Sequence, residues 1–258
     1  MNKYIEMFEA AKKDPAKAYK VVKLNVLGLF GGRDYQKFMV LTKSRTGSNL
    51  LLSYLNSHPN VYCEGEKFWK LSGRNYKTIL QSAYRKQPAY IKAKGFKIFY
   101  YHPLDQETCD VWGDLARMED IRVIHLQRRN VLKSHVSHKI AVANDQWMST
   151  HQGRGATEKK KVYISVEELR DVFEKTESRA EAANTTFKNH KTITVFYEDF
   201  VRDPEVYQQI LDFLGMDRLP PRTVLKRQNP EKLPDLVENY SELKAAYKDT
   251  RWASMFTD

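Results

Sequence analysis

The sequence predicts an α/β fold in which a central parallel sheet is flanked by helices. Short apolar or β-branched runs of strand length alternate along the chain with longer segments of helical periodicity. Hydrophobic residues make up 41% of the 258 residues, which is enough to build a sizeable core. We find no internal repeat and no low-complexity linker, so residues 1–258 are predicted to form one domain.

Each predicted element follows from a local pattern. Residues 1–36 are expected to form a helical appendage, and the run 21–32 is too short and too interrupted by polar residues and glycines to span a bilayer. Strands are predicted at 38–41, 61–63, 96–100, 123–126 and 192–196. Helices are predicted after the turn at 42–49 and at 74–88, 106–118, 131–142, 165–188, 204–214 and 234–247.

The charge balance narrows the class of ligand. Lys and Arg number 43 against 32 Asp and Glu, which gives a formal net charge of +11. Such an excess suits an anionic ligand, nucleic acid or an acidic surface. The two cysteines, Cys63 and Cys109, make neither a disulfide framework nor a CxxC metal pair. We see no N-terminal signal pattern and therefore expect a cytoplasmic protein.

The chain is organised around one strand, one turn and one helix. The apolar run 38–41 has the length of a buried strand, and a polar turn at 42–49 leads into residues with helical spacing. Gly47 can adopt a positive φ and lets a ligand approach the backbone, and Ser48 or Thr46 is expected to cap the helix. Free N–H groups and the positive end of the helix dipole predict an anion-binding site here.

The turn does not match the nucleoside triphosphate motif GxxxxGK[ST]. It lacks the first glycine and the lysine of that motif, and its cations, Lys43 and Arg45, precede the glycine instead. The later strand 123–126 runs into the basic residues Arg128 and Arg129 rather than into a carboxylate that would hold Mg²⁺. We therefore expect an anion site that uses no metal ion.

Three blocks of sequence carry a family resemblance: residues 45–50, residues 123–130 with Ser134 and Ser137 after them, and residues 197–204 with the helix to Gly215. In this order and separation they resemble the sulfotransferases that use 3′-phosphoadenosine 5′-phosphosulfate (PAPS). The tail at 226–230 and 237–240 resembles the bacterial carbohydrate and lipopolysaccharide branch, which includes nodulation-factor sulfotransferases. The resemblance spans about residues 38–247 in scattered blocks.

The resemblance implies a P-loop-like, three-layer fold and a donor site with two ends. It implies that the turn holds the 5′-phosphosulfate through Lys43, Ser44, Arg45, Thr46, Gly47, Ser48 and Asn49. An arginine at a strand end and a serine eight residues later would hold the 3′-phosphate. Arg129 and Ser137 have that spacing, and Arg128 is the alternative. The tail 220–258, including Arg227 and Gln228, would close over the nucleotide.

The implied reaction needs a cation and a general base. Arg45 supplies a cation where negative charge grows on the departing phosphate. Glu66 is the first candidate for the base, because a glutamate after a segment such as 58–61 is the proposed base in several carbohydrate sulfotransferases. Glu64 and His102 are the alternatives, and in a regular strand Glu64 and Glu66 would share one face.

Two other functional classes compete with sulfuryl transfer to a carbohydrate, glycolipid or other small hydroxyl-bearing acceptor. A P-loop-type nucleotide-dependent kinase would need Mg²⁺ and a lysine that the turn lacks. A nucleic-acid-binding protein would explain the net charge, but no recognisable motif supports it, and we expect no nucleic-acid partner. The acceptor is expected to be chosen by residues 67–90 and 144–163, and the sequence does not predict its identity or the oligomeric state.

Overall fold

The computed structural model describes residues 15–106, 108–144, 161–223, 225 and 231–257. Its five strands are β1 (Gln36–Thr42), β2 (Val61–Glu66), β3 (Ala93–Phe99), β4 (Arg122–Gln127) and β5 (Thr192–Phe196). Its α-helices are α1 (Pro15–Gly28), α2 (Ser48–Ser57), α3 (Tyr76–Ala83), α4 (Val111–Arg117), α5 (Val131–Asn144), α6 (Val166–Thr186), α7 (Tyr197–Arg202), α8 (Pro204–Leu214), α9 (Leu233–Leu236) and α10 (Tyr240–Ala246). A 3₁₀ turn, Ala253–Phe256, follows.

The strands form one parallel sheet in the order β2-β3-β1-β4-β5, so the first strand lies at its centre. One face of the sheet packs against α3 and α4 through a cluster that includes Phe96 and Ile98. The other face packs against α2 and α8 through a cluster that includes Val40 and Leu51. The predicted fold class, a central parallel sheet between two helical layers, is therefore confirmed.

All five strand predictions are confirmed, but four predictions about helices were wrong in detail. The helix predicted at 74–88 ends at Ala83, because the backbone of Tyr84 is no longer helical. The helix predicted from residue 106 begins only at Val111, after Asp110, whose side chain accepts the Gly113 N–H. The C-terminal helix predicted at 234–247 is two helices, because Val237 is extended and the segment Leu236–Glu238 pairs with Val162.

The fourth error concerns the start of α2. Gly47, not Ser48 or Thr46, occupies the N-cap position, and no side chain caps the helix. The Thr46 hydroxyl instead donates to the carbonyl of Lys43 at 2.9 Å, inside the turn. The predicted positive φ of Gly47 is confirmed at 79°.

Two further predictions about helix ends are confirmed. The helix predicted from residue 165 starts there, because the Ser165 side chain accepts the Glu168 N–H, and Gly215 ends α8 with φ of 72°. Within the described ranges, no helix is long and apolar enough to cross a membrane. The single domain over 1–258, with its appendage and closing tail, stays a prediction.

The tight packing around Gly47 gives a stability prediction. A Cβ at this position would lie 2.2 Å from a ring carbon of Tyr197, and the backbone is left-handed. We expect Gly47→Ala to lower the free energy of unfolding in urea by about 2–4 kcal/mol, from backbone strain together with overpacking.

Gly73 supplies the matched control. Its φ of 75° is nearly the same, but a Cβ there would meet no atom within 4 Å. Gly73→Ala should therefore show the strain alone, a loss of about 1 kcal/mol. Equal losses for the two variants would show that contact between the turn and Tyr197 does not constrain the fold.

Candidate active site

The turn at 42–49, where the sequence predicts an anion-binding site, is called the anion turn. It lies where the strands end at their carboxyl termini, beside the boundary between β1 and β4. The chain leaves β1 through α2 toward one edge of the sheet, and it leaves β4 through α5 toward the other. Ligands of open parallel sheets bind in the crevice that such a reversal creates. The loops after β1 and β4 therefore meet at the natural binding position of this fold.

Hydrogen bonds fix the shape of the turn. The Thr42 hydroxyl donates to the carbonyl of Leu126 at 2.6 Å, which joins the ends of β1 and β4. The backbone N–H of Ser44 donates to the hydroxyl of Tyr101 at 3.2 Å, and Arg45 adopts a left-handed backbone with φ of 63°. The first N–H groups of α2 lack helical acceptors, as at any helix start. Hydrogen bonds therefore hold the backbone of the turn, and the first N–H groups of α2 are available to a ligand.

Three cationic side chains crowd around this turn. Arg45 Nε donates to the hydroxyl of Ser137 at 3.0 Å, and Arg128 Nη1 donates to the carbonyl of Arg45 at 2.9 Å. Lys43 Nζ donates to the Thr176 hydroxyl at 3.0 Å. Burial, followed by the charge of Arg128, lowers the pKa of Arg45. The predicted residues Lys43, Arg45, Arg128 and Ser137 are therefore brought together.

The pKa of Lys43 shows the effect of the excess positive charge most directly. Burial and the nearby guanidinium groups of Arg179 and Arg128 lower its pKa from 10.5 to about 8. An anion bound at the turn would counter both effects, because it would replace lost hydration and oppose the neighbouring charges. These cations are partly buried and held by hydrogen bonds, which distinguishes the turn from a solvated basic loop.

The structure gives Arg128 and Arg129 different surroundings. Arg128 is largely buried, lies 4.9 Å from the Tyr197 ring centre, and reaches Arg45. Arg129 is half exposed and makes two 2.6 Å hydrogen bonds to the carboxylate of Asp199. Arg128 therefore shares a hydrogen-bonded network with Ser137, whereas Arg129 is held by a carboxylate.

A β-bulge separates the two glutamates of β2. The register advances two residues on β2, from Glu64 to Glu66, for one residue on β3, from Phe96 to Lys97. Glu64 bonds Lys94 and Glu66 bonds Lys97. Lys94 and Lys97 are three residues apart on a regular strand and so lie on opposite faces of the sheet. The expectation that Glu64 and Glu66 share a face was wrong, because a bulge inserts one extra residue.

Glu66 lies on the same side as the anion turn. Its carboxylate is 2.9 Å from Lys97 Nζ, and the same ammonium group donates to Asn49 Oδ1, at the start of α2, at 2.7 Å. The Glu66 side chain is 29% exposed, so a substrate can reach it. Lys97 therefore connects the predicted base to the predicted donor site.

Glu64 is enclosed by lysines on the other face. One carboxylate oxygen is 2.6 Å from Lys94, whose side chain is fully buried, and the other is 2.6 Å from Lys67. Burial raises the pKa of Glu64, but the two lysines outweigh it and hold the pKa below its usual value. This pairing describes a structural ion pair.

His102 is buried behind Glu66. Its Nδ1 accepts the N–H of Phe99 at 3.2 Å, so in the neutral ring the proton is on Nε2, 3.8 Å from the Glu66 carboxylate. Burial and the charge of Lys97 lower the pKa of His102 to about 4. A neutral ring with both nitrogens oriented in this way has no free lone pair for an acceptor hydroxyl.

The sequence patterns missed Arg179 and His138. Arg179 lies in the middle of the charged helix α6, where no motif marks it, and its guanidinium is 5.2 Å from the Tyr101 ring centre. The pKa of His138 is lowered by burial and then by His135, Lys43 and Arg45, which places it beside the turn. Its position one residue after Ser137 was the available signal.

Two predicted donor ligands, Arg227 and Gln228, lie outside the described residues. The remaining predicted ligands of the turn, namely Ser44, Thr46, Gly47, Ser48 and Asn49, all lie at the carboxyl edge of β1 or in the first turn of α2. Within the described part of the chain, no group of three His, Cys, Asp or Glu side chains could hold a metal ion.

Comparison with known proteins finds similar proteins that match most of the chain. The chain is 27% identical over 237 residues to Nodulation protein H of Rhizobium meliloti strain 1021, covering 86% of this chain and 95% of that protein. The chain is therefore similar to Nodulation protein H over most of its length. Nodulation protein H of Rhizobium tropici is likewise 27% identical, over 86% of this chain and 93% of its own length. The resemblance inferred from the scattered blocks is thereby confirmed.

Two other comparisons add less. No family model matches the chain. The crystal structure of a sulfotransferase from Alicyclobacillus acidocaldarius aligns with a TM-score of 0.48 at 16% identity, covering 82% of this chain and 91% of that one.

The lowered pKa of Lys43 gives a pH prediction. A bound anion favours the ammonium form, so binding is full below a pH of about 8 and weakens as the pH rises through that value. We expect the affinity for adenosine 3′,5′-bisphosphate, measured by calorimetry between about pH 7 and 9.5, to fall by up to about tenfold per pH unit above the pKa.

Lys43→Arg is the control, because a guanidinium stays charged over this range. Its affinity should be nearly constant with pH. A wild-type affinity that does not change with pH, or an equal fall in the variant, would show that Lys43 does not contact the anion.

Proposed function

We propose that this protein transfers a sulfuryl group from PAPS to a hydroxyl group of a glycan or glycolipid acceptor. The observation that supports this most directly is the crowding of Lys43, Arg45 and Arg128 at the turn, joined through Asn49 and Lys97 to the carboxylate of Glu66. The arrangement joins a site for a polyanionic donor to a carboxylate that can accept a proton.

The donor would be held at both ends. The turn at 43–49 and the start of α2 receive the 5′-phosphosulfate, because their N–H groups and cations converge there. For the 3′-phosphate we favour Arg128 with Ser137, since both contact Arg45 and so lie next to the turn. Arg129 remains the alternative, and it would first have to leave Asp199. Charged hydrogen bonds of this type contribute about 1.5–3 kcal/mol each.

The transfer step follows from these positions. The acceptor oxygen attacks sulfur in line, the bond between sulfur and the phosphate oxygen breaks, and adenosine 3′,5′-bisphosphate departs. Negative charge grows on the departing phosphate, where Arg45 and Lys43 stabilise it. Glu66 takes the proton of the acceptor hydroxyl. Lys97 lies between the base and the donor site, because its ammonium group contacts both Glu66 and Asn49. Its positive charge offsets the negative charge of the groups on either side.

Cationic side chains supply the positive charge that the leaving group needs, so we propose that no metal ion takes part. We favour Glu66 as the base over its two rivals for reasons of access. The side chain of His102 is fully buried, and both oxygens of Glu64 are paired with lysines on the far face. Glu66 is the most exposed of the three groups, with 29% of its side chain exposed against 14% for Glu64.

The role of Glu66 is tested by Glu66→Gln. We expect kcat to fall by about 10²–10⁴-fold, the usual contribution of a general base, with the bisphosphate affinity nearly unchanged. The assay measures bisphosphate release from PAPS with a panel of glycan and glycolipid acceptors in excess EDTA. Wild-type enzyme should turn over under these conditions.

Glu64→Gln is the matched control, because it makes the same chemical change two residues away. It should retain most activity but lower the free energy of unfolding by about 3 kcal/mol, since Lys94 would stay buried without its carboxylate. If Glu66→Gln kept most activity while His102→Ala lost it, the base would be His102. Activity that disappears in EDTA and returns with Mg²⁺ would contradict the metal-free mechanism.

A further inference from the structure

Among the described side chains of helix α1, apolar residues lie on two opposite sides, and Leu24 on one side is buried. Leu24 packs against Tyr62 and Ile91, which attaches the helix beside the edge strand β2. Tyr19, Val22 and Val26 recur at helical spacing on the side away from Leu24, and all three are exposed. The exposed side formed by Tyr19, Val22 and Val26 therefore does not attach the helix to the sheet.

The turn after α1 extends the exposed face. Leu29 is 73% exposed and Phe30 is 90% exposed, the highest value among the large hydrophobic side chains described. The turn itself is fixed, because Gly32 pairs with Gln87, and a Cβ at Gly31 would lie 1.8 Å from the Gln87 carbonyl oxygen. We call the exposed residues Tyr19, Val22, Val26, Leu27, Leu29 and Phe30 the α1 patch.

Positive charge surrounds the α1 patch. Lys23 and Arg33 are exposed within and after it, and exposed Lys86 lies alongside, since its carbonyl is 3.0 Å from where a Gly28 Cβ would be. Between residues 15 and 36 the sequence has four Lys or Arg and one carboxylate, that of Asp34, and the next cation, Lys37, is paired with Asp120. The patch therefore suits an apolar surface that also carries negative charge.

We propose that the α1 patch docks the protein peripherally on an anionic lipid surface. Apolar side chains that enter the headgroup boundary, flanked by lysine and arginine, are the features of helices that lie in a membrane interface. A second copy of the chain fits less well, because a symmetric contact would bring the same cations face to face. Helix α1 is also too short to cross the bilayer.

This docking would leave the active site free. The patch is near the amino ends of the strands, because residues 29–35 precede β1 and Gln36 bonds the segment before β3. The anion turn and Glu66 lie at the carboxyl ends of β1 and β2, at the opposite edge of the sheet. The protein would thus be concentrated at a lipid surface while its cleft faces away from that surface.

The test is sedimentation of the full-length protein with phosphatidylglycerol–phosphatidylcholine vesicles and with phosphatidylcholine vesicles alone. We expect at least fivefold more bound protein on the anionic vesicles, and loss of most of that binding in high salt, where charges are screened. Leu29→Ser combined with Phe30→Ser should lower binding to the level of neutral vesicles. Val142→Ser, which removes an apolar side chain of 57% exposure elsewhere, should bind as wild type.

A fluorescence measurement gives an answer that does not depend on loss of binding. Phe30→Trp adds one indole to the four native tryptophans. The emission spectrum of this variant minus that of the wild type should be that of an exposed indole in buffer. It should shift to shorter wavelength only when anionic vesicles are added. The readout is independent of PAPS and of turnover, so it is separate from the proposed reaction.

Several results would overturn the proposal. These are equal binding to neutral and anionic vesicles, wild-type binding by the double serine variant, or a Phe30→Trp spectrum that is already blue-shifted in buffer. The last result, with a dimer in light scattering that the serine changes dissociate, would assign the patch to a second copy. With a monomer, it would assign the patch to contact with the protein's own chain.

Discussion

The candidate site depends on positive charge that is held, partly buried, where β1 and β4 end. Arg128 and Arg45 are joined by a hydrogen bond from one guanidinium to the other residue's carbonyl, and Lys43 lies close enough for its pKa to fall to about 8. Burying like charges together destabilises the free protein. Neutral oxygens of Ser137 and Thr176 hold two of these cations in place without cancelling their charge. A polyanionic ligand would relieve this repulsion.

The bulge at Gly65 decides which carboxylate faces this charge. Without the extra residue, Glu66 would follow Glu64 to the face where Lys94 and Lys67 neutralise it. With the bulge, Glu66 joins Lys97 and, through it, Asn49 at the start of α2. One inserted residue at the end of an edge strand thereby separates a structural ion pair from the proposed base. Bulges often re-aim side chains near active sites in this way.

The main features of the fold were predictable because they depend on local patterns. Five apolar or β-branched runs gave the strands, and the glycine and hydroxyls after residue 41 gave the anion turn. The bulge was not predictable, because Glu64-Gly65-Glu66 reads equally well as a regular strand and only pairing with β3 reveals the extra residue. The roles of Arg128 and Arg129 were also open, since adjacent arginines share one local pattern and are separated only by their contacts to Arg45 and to Asp199.

We infer that the carboxyl edge of the sheet binds a nucleotide with phosphate at both the 3′ and 5′ positions. The most direct measurement is the melting temperature with adenosine 3′,5′-bisphosphate, with adenosine 5′-monophosphate, and with ATP and Mg²⁺, because a ligand that binds the folded state raises it. We predict that the bisphosphate raises the melting temperature of the wild-type protein most. In the Arg128→Ala variant, the bisphosphate should raise the melting temperature no more than the monophosphate does in the wild type. An equal or larger rise with ATP and Mg²⁺, or no rise with the bisphosphate, would contradict the claim.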